Sequence, residues 1–381
     1  MLKLDLSYIS VKTEITDGTG WRMDRLGGVA EKERHAAGPM RVLVLGGSGF
    51  IGRHASAALQ AAGCDVVVGT RDPAKARRKL LSPSPQCAFR RVRLERHLDP
   101  RSWEAVLEGV DAVVNCVGIL RQRGRETYDR VHHLAPAALA AACAEGGIRL
   151  VHVSALGLRA PVRSRFLHSK RDGEDAIRAC GGDWCIVRPS LLDGRGGFGA
   201  RWIRRVAGWP VHALPANATG RIAALDVCDL GEALARLVVG PRMDGPSREF
   251  ELGGLQERSI GEQLRAMSPR TRPPLGVKVP VWLARLASHV CDLLHVTPYS
   301  FGHYELLRFD NCPRPNRLPE VLGRLPRPVP AAEGGIIRFT SSQSKEPACR
   351  LSRHCPPTMT PKSLSWRSSS TKRSASAPTA C

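Results

Sequence analysis

The sequence predicts a doubly wound, parallel α/β sheet followed by a small, mainly helical C-terminal cap. Short apolar segments alternate with helical patterns from residue 41 to residue 189. Fully apolar strands of this kind are typical of a parallel sheet that helices cover on both faces. The first apolar segment also runs directly into a glycine turn within MRVLVLGGSGFIG, residues 40–52. These two observations predict a Rossmann-type fold.

The individual elements follow from the same patterns. Strands are predicted at 41–45, 65–70, 88–94, 112–117, 148–154 and 184–188, and helices at 51–62, 74–81, 101–108, 133–145 and 165–180. Beyond Pro189 the pattern becomes irregular, beginning with a glycine-rich loop at 191–199. Further helices are predicted at 201–207 and 230–239, and further strands at 221–225 and 250–252.

The glycine turn follows the spacing G-x-x-G-x-x-G at Gly46, Gly49 and Gly52. A strand, a tight glycine turn and a helix N-terminus together form a cradle for the pyrophosphate of a dinucleotide. Gly46 permits the sharp exit from the strand, Gly49 removes a Cβ that would block the pyrophosphate, and Gly52 lets helix and strand pack closely. Phe50 and Ile51 complete the cofactor contacts predicted for this turn.

Changes in composition divide the chain into four parts. Residues 1–39 are predicted to be a poorly ordered extension, and residues 40–240 form the NAD(P)-binding domain, of which 190–220 contribute to the cap. The cap continues through 241–330 as a substrate-binding or partner-binding region. Residues 331–381 are basic and rich in Ser and Pro, which predicts a disordered tail. This tail is either a functional basic arm or an out-of-frame or divergent end.

One helical segment of the cap is amphipathic. Its apolar stripe consists of Leu283, Leu286, Ala287, Val290, Leu293 and Leu294, and the opposite side carries Arg285, Ser288, His289 and Asp292. The stripe predicts packing on the main domain. The alternative is a face that docks on a membrane or on a partner protein.

The net charge of +22 brings nucleic-acid binding into consideration. Only 10 of the 57 basic residues are lysine, so the excess is arginine spread along the chain, as GC-rich coding would produce. Aromatic residues make up 5% of the chain, which leaves few platforms for base stacking. We therefore predict no nucleic-acid partner, while an acidic protein or an anionic membrane surface stays open as a partner.

The cysteines, the apolar segments and the N-terminal region indicate where in the cell the protein resides. None of the twelve cysteines forms a C-x-x-C pair, which argues against a zinc ribbon and against thioredoxin-type chemistry. No stretch reaches the ~18–20 uncharged apolar residues of a membrane span, and the N-terminal region carries six acidic residues and lacks an apolar core. We predict no transmembrane segment, no export signal and a cytoplasmic location.

The end of the second strand indicates which cofactor is bound. In such a domain a carboxylate at this place accepts from the ribose 2′-hydroxyl of NAD and repels the 2′-phosphate of NADP. Gly69 and Thr70 offer no carboxylate, and Arg71 offers a guanidinium to a phosphate. The sequence therefore favours NADP(H) over NAD(H). Two alternatives stay open: Asp72 meets the ribose after a shift of one residue, or Arg71 is a solvated loop residue.

Several later motifs occur in the order that short-chain dehydrogenases/reductases show. They are N-x-x-G at Asn115–Gly118, Ser154 after the fifth strand, Lys170 in the next helix and Arg188-Pro189-Ser190 after the sixth strand. Residues 40–330 thus resemble an atypical or extended member of that superfamily. More narrowly, they are similar to bacterial relatives of the nucleotide-binding accessory subunit of respiratory complex I. The resemblance implies cofactor contacts from Asn115, Gly118, Lys170, Arg188 and Pro189.

The resemblance also implies a catalytic Ser, Tyr and Lys, of which the Tyr exchanges a proton with the substrate. Ser154 and Lys170 are present, but the tyrosine position holds Phe166, which has no proton to give. His168 and Tyr128 are the alternative acids. His132 and His133 point apart as neighbours on a helix, so they predict no metal site.

Two functions follow from these residues. The first is an NADP(H)-binding, non-catalytic or weakly catalytic protein that serves as a cofactor-binding accessory or redox sensor. The resemblance associates it with a respiratory complex, peripheral at the inner face of the membrane. The alternative is an NADPH-dependent reductase, or an NAD-dependent epimerase-like or dehydratase-like enzyme, that acts on a small molecule. The sequence leaves open whether the protein is an enzyme.

Overall fold

The computed structural model describes residues 38–81, 87–158, 161, 163–194, 196–241, 248–294 and 299–329. The predictions for residues 1–37 and for the tail at 331–381 lie outside these residues.

Seven strands form one parallel sheet in the order β3-β2-β1-β4-β5-β6-β11. Its strands are β1 (Arg41–Leu45), β2 (Asp65–Thr70), β3 (Ala88–Arg91), β4 (Ala112–Asn115), β5 (Arg149–Val153), β6 (Trp184–Pro189) and β11 (Glu249–Leu252). The predicted doubly wound Rossmann-type fold is confirmed. Because all seven strands run in one direction, their carboxyl ends share one edge, where ligands bind in such sheets.

The helices cover both faces of this sheet. They are α1 (Phe50–Ala61), α2 (Pro73–Arg77), α3 (Glu104–Leu107), α4 (Ala135–Glu145), α5 (Arg165–Ala179), α6 (Phe198–Ala207), α7 (Val227–Val239), α8 (Ile260–Ala266), α9 (Val281–Leu294), α10 (Phe301–Leu306) and α11 (Leu318–Leu322). Alternate side chains of β1 enter opposite cores, as the two-residue period of a strand requires. Val42 and Val44 join the core that contains residues of α1 and α7, whereas Leu43 and Leu45 join the core that contains residues of α4 and α5.

Some predicted elements are shorter or interrupted. The helix predicted at 133–145 begins as a π-helical segment, Asp129–Leu134, before α4. The helix predicted at 101–108 is a 3₁₀ turn, Pro100–Trp103, followed by α3, and the Asp99 carboxylate caps that turn by accepting from the Arg101 N–H. Two two-residue strands, Arg221–Ile222 and Leu225–Asp226, replace the strand predicted at 221–225, and they pair with different strands.

The segment predicted as the cap shares residues with the main sheet. Strand β11 pairs with β6 beyond the predicted boundary at residue 240, and Leu318 and Leu322 of α11 return to the core beside α7. Among the described residues, six short strands lie outside the main sheet. They pair as β7 (Leu192–Asp193) with β10 (Leu225–Asp226), β8 (Val211–Pro215) with β13 (Leu275–Val279), and β9 (Arg221–Ile222) with β12 (Arg258–Ser259).

The predicted packing of the amphipathic helix on the main domain is wrong. In α9 the buried residues are Ala284 and Ser288, while Leu283, Leu286, Val290, Leu293 and Leu294 are exposed. The periodicity is that of an amphipathic helix, but the small side chains on its other side are the ones that let the helix approach the rest of the protein. The apolar stripe therefore faces away from the core.

Candidate functional site at the carboxyl edge of the sheet

The glycine turn after β1 is built as the sequence predicts. Gly46 has φ +70°, a left-handed conformation that glycine adopts without strain, and its carbonyl accepts from the Gly49 N–H at 2.7 Å. A Cβ on Gly52 would overlap the Gly46 carbonyl oxygen and the Gly47 Cα, so only glycine allows α1 to begin this close to the turn. The turn thus places the N-terminus of α1 next to the end of β1.

The space above this turn fits a pyrophosphate. A Cβ built on Gly49 would meet only the Gly46 carbonyl oxygen within 4 Å, so the outer side of the turn is open among the described residues. The first turn of α1 contains no acidic residue, and no side chain caps its N–H groups. Unneutralised N–H groups at a helix N-terminus attract an anion. The predicted cradle residues therefore fit a dinucleotide phosphate.

A second glycine-rich segment lies against Phe50 in the first turn of α1. Gly194 and Gly197 approach the Phe50 ring so closely that a Cβ on Gly197 would lie 2.8 Å from a ring carbon. A Cβ on Gly196 would overlap the guanidinium of Arg53. The sequence predicted a glycine-rich loop here without placing it at the cradle. Its cluster of glycines was the available signal, because several adjacent glycines indicate a close approach of backbone to another group.

At the end of β2, the residues that were predicted to lie near the cofactor ribose form ion pairs or hydrogen bonds within the protein. The Arg71 guanidinium is largely exposed and forms an ion pair with Glu126. The Asp72 carboxylate accepts from the Lys75 N–H at 3.0 Å and caps α2, so the backbone already uses one of its oxygens. The Thr70 hydroxyl lies 3.2 Å from the Ser48 hydroxyl and links the end of β2 to the glycine turn.

Asn115 joins the ends of β4 and β5. Its amide Nδ2 donates to His152 Nδ1 at 3.1 Å, and its Oδ1 accepts from the Val117 N–H at 3.1 Å. Burial, reinforced by the Lys170 charge, lowers the pKa of His152 to about 4, so its ring is neutral and can accept this hydrogen bond. Asn115 thereby shapes the strand end that leads to Gly118.

The structure brings Gly118 and Lys170 together. A Cβ on Gly118 would lie 3.9 Å from Lys170 Nζ and 3.8 Å from His132 Nε2. His132 comes this close because Gly173 of α5 lies directly on the His132 carbonyl, where any Cβ would overlap it. The sequence alone assigned no structural role to Gly173, since a glycine inside a helix does not reveal by itself what it contacts.

Phe166 fills the position that the resemblance assigns to a tyrosine. Its buried ring packs edge-on against Tyr128 and His132, with ring centroids 5.6 and 5.4 Å away, and stacks on His303 at 6.2 Å. The Tyr128 hydroxyl donates to the Leu120 carbonyl at 2.8 Å. His168, the other predicted alternative acid, is exposed on α5. The ring cluster around Phe166 is thus held by packing and by hydrogen bonds within the protein.

His132 is a neutral structural residue of this cluster. Its Nε2 accepts from the Ile119 N–H at 3.0 Å, and its Nδ1 lies 3.1 Å from Ser169 Oγ, which in turn donates to the Phe166 carbonyl. Burial and then the Lys170 charge hold the pKa of His132 well below its usual range. Among the described residues no cluster of His, Cys, Asp and Glu could hold a metal ion.

Lys170 and Ser154 are the polar residues of the predicted active site. Burial lowers the pKa of Lys170 to about 8, against the opposing charge of Glu174. Its ammonium lies 5.9 Å from the centroid of the Phe166 ring. The buried Ser154 hydroxyl has no partner with hydrogen-bond geometry in the described part of the chain, although it lies near enough to Glu174 to lower the pKa of that carboxyl.

Arg188 belongs to a buried cluster of charges. It donates to Glu174 at 2.6 and 2.8 Å and to Glu249 at 2.6 Å, and Arg178 binds the same two carboxylates. Burial alone would raise the pKa of Glu174, but the hydrogen bonds and charge of Arg188 outweigh it and lower that pKa. Hydrogen bonding from Arg178 contributes most to lowering the pKa of Glu249 to about 2. These partners link α5, β6 and β11, and the cofactor contact of Arg188 and Pro189 stays a prediction.

Comparison with known proteins agrees with this geometry. Residues 46–204 match a family described as NAD(P)H-binding. The chain is 26% identical over 279 residues to NADH dehydrogenase [ubiquinone] 1 alpha subcomplex subunit 9, mitochondrial, of Arabidopsis thaliana, a match that covers 70% of this chain and 67% of that protein. It is 30% identical over 197 residues to ceramide reductase of Caulobacter vibrioides. This second match covers 52% of the chain and spans only 59% of the length of the reductase.

The fold is also that of sugar-nucleotide epimerases. The UDP-glucuronic acid 4-epimerase of Bacillus cereus, solved with UDP-glucuronic acid and NAD, superposes with a TM-score of 0.53 and 16% identity over 76% of this chain and 94% of that chain. The chain therefore contains an NAD(P)-binding Rossmann domain and is homologous to a complex I subunit. The predicted resemblance to the complex I subunit is confirmed. Within the described ranges, no helix is both long enough and apolar enough to cross a bilayer.

Proposed function

We propose that this chain binds NADP(H) as an accessory or redox-sensing protein with little or no turnover of its own. The observation that carries the proposal is the pairing of an open glycine cradle with Phe166 at the position of the proton donor. The cradle works through backbone geometry and needs no catalytic side chain. A phenyl ring cannot exchange a proton, so the usual acid–base step has no agent at that place.

The neighbours of Phe166 support the same conclusion. Tyr128 uses its hydroxyl proton in the bond to the Leu120 carbonyl, and burial raises its pKa. His132 is held neutral by burial, and burial also lowers the pKa of His303 to about 4. A neutral imidazole at pH 7 is a poor acid, so neither histidine replaces the missing tyrosine efficiently.

The preference for NADP(H) rests on the end of β2. Thr70 closes the strand without a carboxylate, the Asp72 carboxylate caps α2, and Arg71 is the nearest cation in sequence. Arg71 pairs with Glu126, and a 2′-phosphate would compete with that carboxylate for the guanidinium. We therefore assign Arg71 to the 2′-phosphate of the cofactor.

One pair of variants tests this assignment. Arg71→Ala should weaken NADPH binding about tenfold, the effect of losing one charge-assisted hydrogen-bonded pair, and leave NADH binding unchanged. Glu126→Gln should instead strengthen NADPH binding, because it releases Arg71 from a competitor. Calorimetric titration with both cofactors measures the ratio of the NADPH and NADH affinities. Arg101→Ala, which removes another surface arginine, is the matched control. An unchanged ratio in both variants would remove Arg71 from the site.

A second candidate function is a slow NADPH-dependent reductase, and the specific observation that favours it is Lys170. An ammonium with a pKa of about 8 is a more effective acid than an ordinary lysine, and the buried Ser154 hydroxyl makes no hydrogen bond of regular geometry among the described residues. A reduced nicotinamide, when bound, would supply the hydride. Lys170 would supply the proton to the carbonyl oxygen and regain it from water, while Ser154 would orient that carbonyl.

Turnover separates the two candidates. NADPH oxidation should stay at background over a panel of ketones, including long-chain ones because of the similarity to ceramide reductase. Steady turnover that both Lys170→Met and Ser154→Ala abolish would establish the reductase and reject the non-catalytic proposal. His168→Ala is the matched control, since His168 is exposed on the same helix.

The proposed partner is a respiratory complex at the inner face of the membrane. Homology to a complex I subunit supports this partner. Affinity capture from solubilised membranes should recover respiratory-chain components with the tagged chain. Recovery of the chain alone, with its cofactor bound, would argue for an independent redox sensor.

A further inference from the structure

We propose that the exposed face of α9 docks on an anionic lipid surface. This face, the α9 surface, consists of Trp282, Leu283, Leu286, Val290, Leu293 and Leu294. The inference deepens the peripheral location proposed above by naming the surface and its ligand. It does not depend on whether the cofactor binds.

The α9 surface is a continuous apolar stripe without cover from the described residues. At 100° per residue its six members fall within an arc of about 120° on one side of the helix. Trp282 is 68% exposed, Leu286 53% and Leu293 78%, whereas Ala284 and Ser288 on the other side are buried. Large apolar side chains exposed along one helix face mark an interaction site more often than a free surface.

Neighbouring elements extend the same apolar character. Helix α9 follows β13 directly and packs against β8. Leu275 at the start of β13 pairs in register with Val211 of β8, and both side chains are exposed. Trp209, which precedes β8, is exposed as well. The exposed apolar residues therefore come from a helix and an adjoining pair of strands rather than from one isolated position.

The charges of the segment that leads into α9 and forms it indicate an anionic occupant. Between Glu262 and Asp292 the chain contains no acidic residue and five basic ones, Arg265, Arg270, Arg272, Lys278 and Arg285. A helix with leucine and tryptophan on one side and basic residues beside it is typical of segments that lie in the interface of an anionic bilayer. Tryptophan also favours the headgroup level of a membrane, where its apolar ring and polar N–H are both satisfied.

The same charges disfavour the other occupants. In a symmetric dimer through this surface, two copies of the basic segment would face each other and repel. Residues 331–381 carry eight basic residues against Glu333 and Glu346, so they would also bring like charge to the surface. An anionic lipid headgroup provides the complementary charge that both alternatives lack.

Vesicle binding by the full-length protein tests the inference. Wild type should co-sediment with equimolar phosphatidylcholine and phosphatidylglycerol vesicles and bind pure phosphatidylcholine at least about tenfold more weakly. Trp282→Glu with Leu286→Glu should lose about tenfold or more of the anionic-vesicle affinity, because two apolar side chains no longer leave water. The matched control is Leu255→Glu with Leu325→Glu, which adds the same two charges at exposed leucines elsewhere and should bind within about twofold of wild type.

Three results would overturn the proposal. They are failure of wild type to bind anionic vesicles, equal loss in the control variant, and a wild-type dimer that the α9 variant dissociates in the absence of vesicle binding. The last result would identify a second copy as the occupant. NADPH titration on the same samples keeps this test apart from the cofactor proposal, since neither pair of substitutions touches the glycine turn.

Discussion

The glycine turn and the Phe166–Lys170 segment of α5 serve the same carboxyl edge of the sheet, but they are built differently. The turn depends on backbone conformation, with Gly46 in a left-handed geometry and Gly52 packed against the turn. The α5 segment depends on side chains that engage one another, with Phe166, His132 and Ser169 linked by packing and hydrogen bonds. The turn is thus determined by backbone conformation, and the α5 segment by the packing and hydrogen bonding of its side chains.

This difference explains how binding and turnover can separate. A single substitution of tyrosine by phenylalanine removes a proton donor but preserves an aromatic ring that packs well. No comparable substitution at the turn removes one function and keeps the other, because the backbone there both shapes the fold and would contact the phosphate. Substitutions in the two regions should therefore have effects as different as the construction of those regions implies.

The largest expected effect is at the buried charges that support α5. Glu174→Ala leaves Arg188 buried with fewer partners, which should lower the free energy of unfolding by about 3–5 kcal/mol. Denaturant unfolding measures this loss. Glu320→Ala, which removes the exposed pair with Arg317, should cost no more than about 1 kcal/mol. Equal losses in the two variants would show that burial of the Glu174 pair contributes nothing special.

Acidification should also lower the free energy of unfolding, through the buried His152. The folded-state pKa of His152 is about 4 against an ordinary 6.5, so between these pH values the unfolded chain binds more protons than the folded one. Stability should therefore fall as pH drops from about 6.5 to 4, by roughly 3 kcal/mol from this residue. His152→Gln should reduce the slope of stability against pH in that window. A slope unchanged by the substitution would contradict the assignment to His152.

The glycine turn should respond to a change of one methyl group. Gly52→Ala places a Cβ against the backbone of Gly46 and Gly47, and should destabilise the protein by about 2 kcal/mol and weaken NADPH binding. Thermal unfolding and fluorescence titration measure the two effects. Gly199→Ala is the control, because a Cβ there meets nothing within 4 Å. Unchanged binding in Gly52→Ala would separate the turn from the cofactor.

The smallest expected effect is the contribution of Lys170 to cofactor affinity. With a pKa of about 8, the ammonium is present below that pH and is lost above it. If it donates to the cofactor ribose, NADPH affinity should fall by up to about tenfold as pH rises from 7 to 9. Lys170→Met should bind at the weaker level at every pH. A pH-dependent affinity in that variant would assign the titration to another group.

The parts of this protein that depend on local sequence were predictable from the chain alone. Strands β1 and β2 occur at the predicted residues, and the left-handed Gly46 lies where the motif requires it. The absence of a proton donor at Phe166 was also visible in one residue identity. These features could be predicted because each depends on a few adjacent residues, whose spacing alone determines a strand, a turn or a helix face.

Tertiary structure decided which side chains contact one another and which of them are buried. The sequence placed Arg188 at the end of a strand, but only the fold shows that it meets Glu174 of α5 and Glu249 of β11, which lie 14 and 61 residues away. The fold also lowers the pKa of Lys170, because the burial of its ammonium depends on residues remote in the chain. In α9 periodicity identified the apolar face, while the fold turned that face outward. A helical period specifies which residues share a side, and only the packing of distant elements decides whether that side is covered.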